Sequence, residues 1–103
     1  VQILREKHID APIIVMSPIY SPGREENPNE GGMTLQVMRS EIEDSVEVLR
    51  SLGDLNIHYV NGLNIFDKRY EKLLPDNLHP NNEGYSIMAS NISDSLAPYL
   101  CFE

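Results

Sequence analysis

Asp76 and His79 stand three residues apart in the run Asp76-Asn77-Leu78-His79-Pro80, and their types and spacing have a chemistry attached. A carboxylate held against one imidazole nitrogen fixes the tautomer and stabilises the imidazolium formed when the other nitrogen takes a proton. A serine enzyme performing acyl transfer needs such a pair to activate its hydroxyl. On a tight, Pro-flanked turn, the Asp76 carboxylate can reach Nδ1–H of His79 while Nε2 faces outward. The bare Asp-x-x-His pattern also suits a purely structural turn, so the flanking elements must decide between the two.

Those elements follow from the pattern of apolar residues. Ile13-Ile14-Val15-Met16 is a continuous apolar run of β-branched character, which reads as a strand buried on both faces of a parallel sheet. Residues 18–32 collect Pro18, Pro22, Pro28, Gly23, Gly31 and Gly32 and read as a long surface loop, with Glu25, Glu26 and Glu30 keeping it solvated. Over 34–52 the period becomes 3.6: Leu35, Met38, Ile42, Val46 and Leu49 recur, Leu52 extends the row, and Gly53 suits a left-handed cap. The opposite face takes Arg39, Glu43, Glu47 and Arg50, with Arg39–Glu43 and Glu47–Arg50 spaced for weak pairing. Ile57-His58-Tyr59-Val60 is the second strand, and 67–75 leaves room for a short helical turn. Asn81 or Asn82 can cap a last helix whose apolar row is Tyr85, Met88, Ala89, Ile92 and Leu96. Residues 1–8 read as the tail of a helix.

Strands separated by an amphipathic helix imply a parallel pair joined by a right-handed crossover. The turn at 76–80 then falls beyond the carboxyl ends of the strands, where open α/β sheets gather ligands. Two parallel strands alone leave both edges open and close little core. The expectation is therefore a three-layer α/β/α sandwich with a parallel sheet, of which residues 1–103 supply the last two strands and their helices as the C-terminal part of a single domain.

Composition narrows the partners. Sixteen acidic against eight basic side chains give a net charge of −8, which argues against nucleic acid, since phosphates call for clustered Lys and Arg. No run of 18 apolar residues is present to span a membrane. Val1-Gln2-Ile3-Leu4 carries no signal-peptide pattern, which says nothing of residues upstream and leaves the compartment open. The single cysteine, Cys101, excludes an internal disulfide and reads as a terminal residue, not a nucleophile.

The segment Asp76-Asn77-Leu78-His79-Pro80-Asn81-Asn82-Glu83-Gly84-Tyr85-Ser86-Ile87-Met88-Ala89 resembles the last conserved block of the SGNH (GDSL-type) hydrolases, commonly Asp-Gly-x-His-Pro followed by Gly-Tyr and an apolar helix. Upstream the resemblance continues in outline. Residues 13–18 are similar to that family's fourth strand, 34–52 to the helix after it, and 57–66 to its fifth strand with the Tyr-Val-x-Gly motif, here Tyr59-Val60-Asn61-Gly62. The resemblance implies a flavodoxin-like sandwich and a serine esterase or acylhydrolase acting on carboxylic esters, acetyl esters of carbohydrates among them, with no metal or organic cofactor. It makes His79 the base and Asp76 its orienting partner. The family's Gly-Asp-Ser nucleophile block and its Gly and Asn oxyanion-hole donors have no counterpart in these 103 residues. The resemblance thus implies dependence on an N-terminal half, with an oligomer as another route to cover the open edges. Asn77 stands where Gly is usual, a change the turn tolerates because Asn accepts positive φ.

Other residues carry competing readings. Ser17, Tyr20 and Ser21 follow the first strand and could line a pocket or simply build the loop. Ser86 and Ser90 lie on a helix without a strained elbow, which suits solvated hydroxyls better than nucleophiles. His8 and His58 lack the short His or Cys spacings of a zinc site. The alternative to an enzyme is a catalytically inactive or flavodoxin-like binding module, for which a Gly-rich phosphate loop or acidic receiver pocket would be the mark. Neither is in the sequence, and the site, not the fold, must decide.

Overall fold

The computed structural model describes residues 11–99. The helix expected at 1–8, with His8, and Cys101 lie outside the described residues. Strand β1 (Ile13–Met16) and strand β2 (Ile57–Val60) occupy the expected spans and pair in parallel, Ile13 opposite Ile57 and Met16 opposite Val60. Helix α1 (Leu35–Ser51) connects them. The ladder runs on at both ends through Ile13 N–H to the Asn56 carbonyl and Ser17 N–H to that of Val60. The protein is thus an α/β fold built on a parallel pair. Within the described residues β1 is half-buried and Met16 faces solvent, so the burial on both faces expected from its composition is not reached there.

Thr34 opens α1, its Oγ1 accepting from Val37 N–H at 3.1 Å. At the other end Gly53, at φ +111°, donates to Arg50 O, and Asp54 N–H reaches back to Leu49 O. This is the paired closure that glycine permits at a helix end. Leu52 falls where the chain has already left the helix and is 78% exposed, so the apolar row stops at Leu49. Val46 carries that row into the core, beside Ile57, Val60, Ile65, Phe66 and Leu74.

Arg39 departs from the expected wet face. It lies on the same stripe as Leu35, Ile42 and Val46, four residues after the first and three before the second, and is 5% exposed. Its guanidinium does not turn to Glu43. Nη1 and Nη2 grip the Glu25 carboxylate at 2.6 and 2.8 Å, while Nε and Nη2 donate to the Pro18 and Ile19 carbonyls at 2.8 and 3.0 Å. Glu25, expected to solvate the loop, is instead drawn under it and also accepts from Ser21 N–H at 3.1 Å. Burial pushes its carboxyl up, but the Arg39 and Ser21 hydrogen bonds and the Arg39 charge outweigh that and hold it below the usual carboxylate range. Arg50 likewise turns from Glu47 to the carbonyl of Ile57, 2.7 Å away. Removing one partner of a buried pair strands the other. Arg39→Met is therefore expected to lower the unfolding free energy by about 3 kcal/mol, and Glu25→Gln added to it should recover part of the loss. A denaturant midpoint shift equivalent to under about 1 kcal/mol would show the pair to be dispensable.

Beyond β2, Asn61 caps a short 3-10 turn (Gly62–Asn64) and Asp67 a second (Lys68–Leu73), the helical turn expected in that segment. Helix α2 (Asn82–Leu96) follows, with Asn81 Oδ1 accepting from Gly84 N–H at 2.9 Å. Its inward face keeps Met88, Ile92 and Leu96 of the expected row, half-buried, but is turned away from the other two. Gly84 is buried and Asn91 donates to the Ile65 carbonyl at 2.9 Å, while Tyr85 and Ala89 are exposed. Among the described residues no helix is long and apolar enough to cross a membrane.

Candidate active site

The Asp76–His79 turn is held from below and at both ends. Asn77 N–H donates to Leu74 O at 3.1 Å and Asn81 N–H to Leu73 O at 2.8 Å, so the turn springs from the end of one 3-10 helix and closes on the start of α2. Pro80 is buried, and a Cβ on Gly84 would lie 2.8 Å from the Pro80 Cβ and 3.4 Å from Phe66. The Gly of Gly84-Tyr85 is therefore what lets α2 seat against the turn. At the tip, Asn77 takes φ +62°, the left-handed conformation that Asn adopts more readily than other non-Gly residues.

With the backbone so bent, one carboxylate serves three donors. Asp76 Oδ1 accepts from Leu78 N–H at 3.0 Å and His79 N–H at 2.6 Å, and Oδ2 lies 2.6 Å from His79 Nδ1. Both side chains are largely exposed, 54% for Asp76 and 68% for His79. The backbone N–H of His79, then its ring, then the Leu78 N–H hold the Asp76 carboxyl well below the usual carboxylate range. An ionised Asp76 facing Nδ1 makes Nδ1 the donor and Nε2 the acceptor of a neutral ring. Nε2 has no hydrogen-bond partner among the described residues. The pair can therefore take a proton from a hydroxyl brought to Nε2 and hold the resulting imidazolium.

The turn sits at the carboxyl ends of the strands, where Ser21, on the loop leaving β1, reaches the Asn77 carbonyl at 2.5 Å. Beside it a cleft of about 580 Å³ opens, lined by Asp76, Asn77 and Arg24 together with Pro22, Met33, Leu35 and Met38 among others.

The remaining candidates resolve individually. Ser17 is buried and structural, accepting from Tyr59 O–H at 2.8 Å and Gly62 N–H at 2.9 Å. Tyr20 donates to Glu71 at 3.3 Å and borders a separate cleft of about 510 Å³. Ser86 and Ser90 are exposed on α2. His58 stacks on Tyr99 with ring centroids 4.2 Å apart and contacts Asn56 and Arg50, so it takes no part with Asp76 and His79. Among the described residues no three His, Cys, Asp or Glu side chains converge as a metal site would require.

The chain is similar to a solved structure described as the salicylyl-acyltransferase SsfX3 from a tetracycline biosynthetic pathway. The two are 34% identical with a TM-score of 0.80 over 94% of this chain. The matched region is 29% of that structure, so this chain spans under a third of its length. No family model and no curated protein matches.

Sequence reasoning missed the support that Ser21 and Arg24 give the turn. They lie 56 and 53 residues from Asn77, a separation no local pattern reveals. Arg39 was detectable, because a cation inside an apolar stripe signals a buried partner.

Proposed function

We propose that this chain supplies the base and its orienting carboxylate to a serine acyl-transfer site in a three-layer α/β/α domain of the SGNH type, acting on carboxylic esters. The observation that carries the reading is the Asp76–His79 pair: a 2.6 Å contact at Nδ1, a carboxylate held in place by two backbone donors, and an exposed ring with Nε2 unbonded among the described residues. In this reading a serine from another part of the domain delivers its proton to Nε2 as Oγ attacks the ester carbonyl. The imidazolium, steadied by Asp76, then returns the proton to the departing alkoxide. Water completes the cycle by the same route. The rest of the domain also covers apolar side chains that stand exposed, such as Met16, Val37, Val48 and Tyr85. Likeness to a salicylyl-acyltransferase favours a second reading with the same acyl-serine but an alcohol in place of water as acceptor.

The test is covalent trapping. In the longer protein, a fluorophosphonate is expected to label a single serine outside residues 1–103, with loss of esterase activity in step. Comparing acyl release to water and to added alcohols then separates the two readings. The 103-residue chain alone should hydrolyse p-nitrophenyl acetate no faster than free imidazole. A burst or a trapped acyl-serine on that chain would overturn the assignment.

A further inference from the structure

The Asp76–His79 turn is exposed, and its geometry depends on one non-Gly residue held at positive φ. Within the turn every hydrogen bond is local. Among the described residues only Ser21 and Arg24 reach residues 76–79 from far along the chain. The Ser21 hydroxyl donates to the Asn77 carbonyl at 2.5 Å, and Arg24 Nη1 lies 3.1 Å from Ser21 Oγ and 3.4 Å from the same carbonyl. Ser21 is itself immobilised. It is 2% exposed, and its N–H is held by the Glu25 carboxylate that Arg39 grips from α1.

From this arrangement we infer that Ser21 is a positioning residue for the Asp76–His79 pair, with Arg24 as its auxiliary and the Arg39–Glu25 pair as its anchor. The inference rests on the catalytic reading of that pair. The Asn77 carbonyl belongs to the peptide unit between Asn77 and Leu78, whose N–H donates to Asp76. Fixing the oxygen of that unit fixes the direction of its N–H, and so the orientation of the carboxylate facing His79. Unpinned, the tip can relax toward the more populated φ < 0 region, which turns the carboxylate off Nδ1. Misplacement of this kind slows the chemical step without altering ground-state binding.

The experiment compares Ser21→Ala, Ser21→Thr, Arg24→Ala and His79→Ala in the longer, active protein. Ser21→Ala is expected to lower kcat about tenfold with KM within about twofold, Arg24→Ala about threefold, and Ser21→Thr, which keeps the hydroxyl, to restore most of the loss. The proton NMR signal of His79 Nδ1–H, far downfield in so short a contact, should move upfield or broaden in Ser21→Ala, a change that general destabilisation does not produce. If Ser21→Ala is folded with kcat within twofold of wild type and the proton unmoved, the inference is overturned. If Ser21→Ala does not fold, Arg24→Ala at the surface decides, and an unchanged kcat there overturns it equally. Loss of activity in His79→Ala alongside an unaffected Ser21→Ala defeats this inference alone. Full activity in His79→Ala defeats the catalytic reading and this inference with it.

Discussion

His79→Ala in the longer protein is expected to lower kcat by about a thousandfold or more while KM stays within about twofold. The imidazole acts only as charge develops, so its removal leaves ground-state binding intact. Asp76→Ala should cost less, because the carboxylate orients a base that survives without it. Exogenous imidazole is expected to restore part of the His79→Ala rate, since the position left vacant is accessible from solvent. Retention of more than about a tenth of wild-type activity in His79→Ala would remove His79 from the role of base. The pH dependence follows with a definite sign. Asp76 is held below the usual carboxylate range by His79 and Leu78 N–H groups and the His79 ring. Its contribution to holding the turn is fully present above the ordinary Asp value of about 3.9. That contribution disappears only as pH falls through the depressed native value. The acid limb of the rate profile should therefore not report the Asp76 carboxylate. An acid limb that vanished in Asp76→Asn while activity persisted would place that titration on the carboxylate after all.

Gly62→Ala is expected to unfold the site region or to cost about 3 kcal/mol, the upper end of what inserting a methyl into packed structure brings. A Cβ at this position would stand 2.2 Å from the Pro18 carbonyl oxygen and 2.3 Å from that of Ser17. Both obstacles are backbone, and neither can turn aside as a side-chain tip would. The segment they belong to is clamped on its other side by Arg39 through the Pro18 and Ile19 carbonyls. Relief must therefore separate the exits of β1 and β2, breaking the Ser17 bonds to Gly62 and Tyr59. Gly53→Ala provides the contrast. Its Cβ meets nothing within 4 Å, so it should lose only about 1 kcal/mol through its positive φ. Equal thermal midpoints for the two variants would show that the close approach is not rigid.

Local patterning sufficed for the elements, and for one juxtaposition. The apolar run Ile13–Met16 and the segment Ile57–Val60, β-branched at both ends, became strands over the expected residues, because short runs of that composition suit little else at that length. The 3.6-residue row over 34–52 became a helix that begins at the Thr34 cap and closes through Gly53. Asp76 and His79 met because three residues across one turn leave a short side chain few other partners, and Asn77 could take the positive φ that Gly usually supplies. Tertiary structure decided what sequence spacing does not encode. Arg39 sits on the apolar stripe, yet only the loop folded over α1 supplied Glu25 and two carbonyls, turning an expected surface cation into a buried clamp. Leu52, Tyr85 and Ala89 matched the apolar rows and stayed exposed, because within the described residues no element covers those faces. Ser21 had no signal in its neighbours. Its hydroxyl matters because β1 and the residues after β2 run side by side, bringing it within 2.5 Å of a carbonyl 56 residues away. Periodicity and capping act over a few residues, whereas a contact of that span exists only once the parallel pair has formed and the loop has been pinned.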